Sequence, residues 1–408
     1  MIRTGDGIAR GAGLLIAASV AWAWLLAAAP ACRAVPIEDD EEVSVGDIAF
    51  TVPREIARAR RNEASEDGFS LLTGLCAFGG VDGNVYRSPG GLTESSGSYG
   101  SWGLVRGEAR FGTGRLLSSV SWKLFEYPDH QGVNSNRARL REWYRQGLGK
   151  RAWLEVAVDA RRRNDDAATI EGEDYAEDYG HWKYGAESFL GALLARGHSL
   201  EAGVLWTRKN YDEVAGLTSL DWDEATARVR YRGRLGPERH LTLAVSSGIR
   251  KYDENPSTDL AGNEPAGNPL EEHRFDDASA GLELPLGARG DLGLEYSYAA
   301  KTDRFQDYES YTGHRVALTA ESQAGRRWNL RGDAVWSRRE YDHLRGDGVS
   351  PLHYSLLEVG GGARYRVEGP WWLFAHGSAY TRDSNRSTGS LYRDYSGIVL
   401  TAGISFFR

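Results

Sequence analysis

The feature that most limits this chain is a two-residue alternation of apolar and polar side chains that recurs from Phe69 to the last residues. Between Arg151 and Arg161, Leu154, Val156, Val158 and Ala160 share one face, and Glu155, Asp159 and Arg161 share the other. Between Asp291 and Lys301, Leu292, Leu294, Tyr296 and Tyr298 alternate with Gly293, Glu295 and Ser297. Leu241, Leu243, Val245 and Ile249 alternate in the same way with Thr242, Ser246 and Arg250. Successive side chains of a strand point to opposite faces, so each segment has one apolar and one polar side. These segments run about 10 to 14 residues, where an ordinary strand has about five or six. Roughly sixteen of them follow one another.

Their connections alternate in length. Tight ones fall at Gly112-Thr113-Gly114, Gly147-Leu148-Gly149, Arg196-Gly197, Gly236-Pro237, 287–290, Gly325-Arg326 and Gly369-Pro370. Longer polar ones lie between, among them Arg163 to Gly180, Asp253 to Glu272 and Tyr341 to His353. Short turns at one end and long loops at the other are what a membrane-spanning barrel with an even number of strands requires. The 408 residues include 50 Gly, 20 Tyr and 13 Trp. That composition suits strands and turns, and after the first 35 residues no stretch approaches the ~20 apolar residues of a spanning helix. A soluble sandwich also alternates, but long strands charged in mid-length and a lack of dense aliphatic runs argue against it. The expected fold is therefore all-β: a transmembrane antiparallel up-and-down barrel of about 16 strands. Trp328 and Trp336 lie on one face of one segment. Their spacing, roughly 26 Å along a strand, matches two aromatic girdles when the strand is tilted.

Ahead of the barrel, Arg3 and Arg10 supply a positive stretch before an apolar run from Gly11 to Ala29, followed by small residues around Ala31 and Ala34. This reads as a signal peptide over 1–34 and predicts export. Cys32 loosely fits a lipidation site but lacks the Leu expected three residues earlier, and Cys76 is then an unpaired thiol. Residues 35–68 open with Glu38-Asp39-Asp40-Glu41-Glu42 and are too short and charged to bury a core. They read as a periplasmic tail, a plug or a docking arm, and the barrel occupies 69–408.

The chain ends in a strand whose alternate positions are Ile398, Leu400, Ala402, Ile404 and Phe406. This resembles the last strand of bacterial outer-membrane β-barrels, of the porin-like class. The class pattern finishes on a terminal aromatic; here Arg408 follows Phe407. The resemblance implies residence in the cell outer membrane of a Gram-negative bacterium and insertion by the barrel-assembly machinery.

If the apolar faces meet lipid, the opposite parity lines the lumen. Arg228, Arg230, Arg232 and Arg234 then form an inward ladder, with Arg106, Arg110, Arg137, Arg139, Arg141, Arg331, Arg339, Arg364 and Arg366 on the same side. Charges turned to lipid near the midplane would cost about 2–4 kcal/mol each. Glu108, Glu155, Asp159, Glu187, Glu283, Glu295, Glu321, Asp333 and Glu358 share that inward parity. Two arrangements are open. The charges pair across strands and only solvate the wall, or arginines remain available to anions, which guanidinium forks bind bidentately. The chain carries a net charge of −8, so the acidic excess falls to loops and to the N-terminal segment.

No HExxH, GxSxG or phosphate-binding loop is present, so no enzyme, cofactor or nucleic-acid partner is expected. The acidic run Glu171-Gly172-Glu173-Asp174, with Glu177 and Asp178, lacks the ligand spacing of a calcium loop and reads as a solvated loop. The expected function is a porin-like channel for small, anionic solutes. The alternative is an export or assembly barrel for an acidic polysaccharide or a protein, working with a periplasmic partner that docks on 35–68.

Overall fold

A computed structural model describes residues 68–408, apart from 85–93, 130–133, 165–167, 171–172, 176–179, 213–218, 266, 288, 347 and 386–393. The expected signal peptide, all of the 35–68 segment except Gly68, Cys32 and most of the acidic run at 171–178 lie outside the described residues.

The strands are β1 (Phe69–Asp82), β2 (Ser96–Phe111), β3 (Gly114–Glu126), β4 (Ser135–Gly147), β5 (Ala152–Asn164), β6 (Ala168–Ile170), β7 (Glu173–Tyr175), β8 (His181–Ala195) and β9 (His198–Tyr211). They continue with β10 (Trp222–Gly236), β11 (Arg239–Pro256), β12 (Leu270–Pro285), β13 (Gly290–Asp303), β14 (Tyr311–Ala324), β15 (Trp328–Arg345), β16 (Pro351–Arg366), β17 (Trp371–Ser384) and β18 (Tyr395–Phe407). Strands β6 and β7 pair only with each other, as a hairpin within the β5–β8 connection. The other sixteen form one closed antiparallel barrel, each beside its chain neighbour, with β1 meeting β18. Closure leaves no unpaired sheet edge, which a lipid environment demands. No helix among the described residues is long and apolar enough to cross a membrane.

The short turns share one backbone device. Gly112, Gly149, Gly197, Gly287, Gly325 and Gly369 take positive φ, and in the β10–β11 turn Glu238 does so at 57°. A left-handed residue lets the chain reverse with the twist that the flanking strands need.

On the outer face Leu75, Val156, Val158, Leu190, Val204, Val229, Val245, Leu294, Leu318, Val359 and Leu400 are exposed. Exposed aromatics bound this band: Phe69, Trp328 and Trp371 toward the short turns, and Tyr99, Tyr184, Trp206 and Trp336 toward the long loops. Beyond the loop-side aromatics the outer wall turns ionic. Arg208 bonds Asp223 at 2.7 Å and Asp253 at 2.5 Å, Arg162 bonds Asp212 at 2.5 Å, and Arg274 bonds Asp276 at 2.9 Å. An apolar belt between aromatic girdles, capped by charge, is the surface of a membrane barrel. One carboxylate breaks the belt. Glu142 stands on the outer face between Ser118 of β3 and Val158 of β5, and accepts a 3.5 Å hydrogen bond from the Ser118 hydroxyl.

Two expected loops are shorter than their sequence suggests. The segments Asp253 to Glu272 and Tyr341 to His353 were expected as loops, yet β11 runs on to Pro256, β12 starts at Leu270, and β15 and β16 reach Arg345 and Pro351. Both extensions lie beyond a break in register, between Lys251 and Pro256 and between Glu340 and Arg345, and the second packs Tyr341, Leu344 and Leu352 against Tyr311 and Tyr354.

The barrel closes over an interior apolar cluster. Cys76 and Phe78 of β1, Trp102 of β2, Trp372 and Phe374 of β17 and Phe407 of β18 bury one another, with Leu104 and Phe125 packed alongside. The ends of the chain add hydrogen bonds. The Thr73 amide donates to the Arg408 carbonyl at 2.7 Å, and the Arg408 amide donates back to the Thr73 carbonyl at 2.8 Å.

Candidate functional site: the charged interior wall

The cross-strand registers place every expected arginine on a single face of the sheet. Arg106 pairs with Leu72 and Ser119, and Arg110 with Arg115. Arg137, Arg139 and Arg141 pair with Arg163, Arg161 and Asp159. Arg228, Arg230, Arg232 and Arg234 stand opposite Ser246, Ala244, Thr242 and His240. Arg331 and Arg339 pair with Glu321 and Gly313, and Arg364 and Arg366 with Phe374 and Trp372. This face carries the buried Cys76, Trp102, Trp372 and Phe407, so it is the one the barrel encloses.

Further cations stand on the same face, of which the sequence pattern had set only Arg161 and Arg250 on the polar side of their strands. Arg115, Arg145, Arg161, Arg163, Arg250, Arg315 and Arg382 join it, as do Lys123, Lys183, Lys209 and Lys301. Several were legible from parity alone: Arg161 and Arg163 continue the alternation of β5. One carboxylate deep in the wall, Glu201, was also overlooked, and it is 1% exposed.

Pairing across strands, one of the two arrangements left open by the sequence, is present among the described residues. Asp159 accepts from Arg139 at 2.6 Å and from Arg161 at 2.5 Å. Arg141 reaches Glu187 at 3.0 Å, Glu201 holds Arg230 at 2.5 Å, and Arg115 grips Glu108 through two bonds of 2.8 and 2.9 Å. Several guanidiniums also rest on rings: Arg250, which bonds Glu224 at 3.0 Å, lies over Trp222 at 4.0 Å, Arg339 over Tyr311 at 4.3 Å and Arg366 over Trp372 at 5.8 Å. Stacking keeps a guanidinium oriented while its edge stays available for hydrogen bonds.

The positive groups are not evenly spread. Arg139, Arg161, Lys183 and Lys209 stand side by side across β4, β5, β8 and β9. Next to this row Lys123, Arg137 and Arg163 follow one another across β3, β4 and β5. Farther round, on β10, Arg232 is half exposed and reaches Glu201 only at 3.9 Å, while Arg234 is exposed and donates to the Gly236 carbonyl at 3.0 Å. The opposite arc is acidic: Asp277, Glu283, Asp291, Glu295 and Glu321 line β12 to β14.

Outside the membrane span, Asp259 organises the β11–β12 loop. Its carboxylate accepts the amides of Asn263 and Ala261 at 2.9 Å each. The Asn263 amide, above all, holds this carboxyl below the ordinary aspartate range.

No family model matches this chain, and no curated protein matches its sequence. Solved barrels are similar in shape. A loop L8 deletion mutant of OmpT, an outer-membrane protein of Vibrio cholerae, gives a TM-score of 0.43 at 10% identity, covering 84% of this chain and 100% of that one. The anion-selective porin from Comamonas acidovorans gives 0.43 at 10% identity, with 83% and 100% covered. A bacterial polysaccharide outer membrane secretin gives 0.41 at 11% identity, with 82% and 98% covered. The closed sixteen-strand sheet, its girdled apolar belt and its charged interior make this chain an outer-membrane β-barrel.

Proposed function

We propose that the chain is an outer-membrane channel that passes small anionic solutes along an arginine- and lysine-rich interior wall. The observation that carries this reading is the row Arg139, Arg161, Lys183 and Lys209, set across four neighbouring strands. Like charges placed side by side on a sheet destabilise it. Asp159, bonded to both Arg139 and Arg161, offsets part of that repulsion and leaves this sector of the wall cationic on balance, facing the aqueous lumen that a barrel of about sixteen strands leaves. Fields in that lumen decay over about 8 Å at physiological salt, so a solute must pass close to the wall to be selected. Arg228, Arg230 and Arg232 extend the positive surface onto β10.

The test is charge reversal at this second surface. Replacing Arg228, Arg230 and Arg232 with Glu should move the reversal potential of the reconstituted protein in a salt gradient toward the cation side. Unchanged reversal potentials in a correctly inserted variant would contradict an anion path along this wall.

A further inference from the structure

At the loop end of the barrel three ligand-type side chains converge on one point. Glu271 and His273 lie two residues apart on the interior face of β12, and Glu309 comes from the β13–β14 connection. His273 is fully buried and Glu271 is 7% exposed. The His273 Nε2 atom lies 2.8 Å from Glu271 Oε1 and 3.7 Å from Glu309 Oε2, and the three ligand atoms all fall within 4.8 Å of one another.

The geometry points to a binding site for a divalent transition metal of the zinc type, held by His273 Nε2 and one carboxylate oxygen each from Glu271 and Glu309. Zinc binds imidazole nitrogen and carboxylate oxygen at about 2.0–2.2 Å, so tetrahedral donors stand roughly 3.4 Å apart. The observed 2.8 and 3.7 Å straddle that spacing, and the His273–Glu271 pair would open by about 0.6 Å to reach it. An imidazole in the set disfavours calcium and magnesium, which take oxygen ligands.

The surroundings already orient these groups. Asn255 Nδ2 donates to Glu271 Oε2 at 2.5 Å, and Lys301 Nζ donates to Glu309 Oε2 at 2.8 Å. Outer-shell donors of this kind fix the direction of ligating carboxylates. The rings of Tyr252 and Phe275 meet the His273 ring edge-on at centroid distances of 5.6 and 6.2 Å, which sets its plane. The loop that carries Glu309 is braced independently: the Asp303 amide donates to Ser310 Oγ, and the Phe305 amide to Asp303 Oδ1, each at 2.9 Å. The nearly buried Asp303, the cross-strand partner of His273, adds a third carboxyl group beside the Lys301 ammonium, with Arg250 opposite His273 on β11. A dication bound here would be met by the Glu271 and Glu309 carboxyl groups. It would also tie the 304–310 loop to β12 at the outer mouth, an effect that does not depend on which solute the barrel passes.

The experiment is calorimetric titration of Zn2+ into the full-length, detergent-folded protein after chelator treatment, with excess Mg2+ present. The expected result is one Zn2+ per chain, with affinity at least about 100-fold weaker in both His273→Gln and Glu309→Gln. Protease protection of the 304–310 loop by Zn2+ should be lost in the same variants. Glu309 sits on the loop, so its variant keeps the barrel and decides the matter even if the His273 variant fails to fold. Absence of stoichiometric binding in the parent protein, or unchanged binding in Glu309→Gln, overturns the site.

Discussion

The rings of Trp102 and Phe407 meet above Gly74, their centroids 6.1 Å apart, so that β2 and β18 touch across the first strand of the barrel. A Cβ on Gly74 would stand about 3.0 Å from Phe407 and 3.1 Å from Trp102, close enough to push both rings aside. This contact lies at the one junction the chain must make between its first and last strands. The ladder from Gly74–Phe407 to Asp82–Val399 closes the sheet there, and the buried cluster holds that ladder from inside.

Truncating this contact should therefore loosen closure. Phe407→Ala is expected to lower stability by about 3–5 kcal/mol, the usual cost of removing a buried aromatic ring. Urea unfolding of the protein in lipid vesicles measures it. A transition midpoint equal to that of the parent would show that the cluster contributes nothing to closure.

The outer face yields a prediction of opposite sign. Glu142 faces outward within the apolar belt, beside the half-exposed Val158. A carboxylate there is unfavourable in hydrocarbon, less so than Arg or Lys. Glu142→Leu should stabilise the inserted barrel by about 1–2 kcal/mol. Destabilisation in the same vesicle assay would mean that this sector does not face lipid.

The turn around Asp259 should respond to acid. Its carboxyl is held below the free value of 3.8, so the stabilisation it gives the loop is fully present above that value. It is lost as pH falls through the lower, folded value. Hydrogen exchange at the Ala261 and Asn263 amides should speed up in that window. Protection that persists once the carboxyl is protonated would remove Asp259 as the organiser of the loop.

What could be read from the sequence followed from contrast between the two faces of a strand. In β10, Arg228, Arg230, Arg232 and Arg234 alternate with Ala227, Val229, Tyr231 and Gly233, so parity alone sorts inside from outside. The seam offers no such contrast. Leu71 and Leu72 are both apolar, as are Trp371 and Trp372, although one of each pair faces outward and the other is buried in the wall. Alternation cannot tell lipid from an interior aromatic cluster in such strands. The ends of β11 and β15 are hidden for another reason, since the register shifts after Lys251 and after Glu340 interrupt the two-residue alternation. The meeting of Glu271, His273 and Glu309 depends on how a loop folds back over the mouth, and no local periodicity encodes that.

The most direct test of the channel reading is single-channel recording from the purified protein in a planar bilayer, with a salt gradient to read selectivity. Open steps whose reversal potential reports preferential passage of the anion are the predicted result, set by the cationic row of Arg139, Arg161, Lys183 and Lys209 on the interior wall. Correctly folded, inserted protein that stays silent, or that passes cations preferentially, would contradict the proposal.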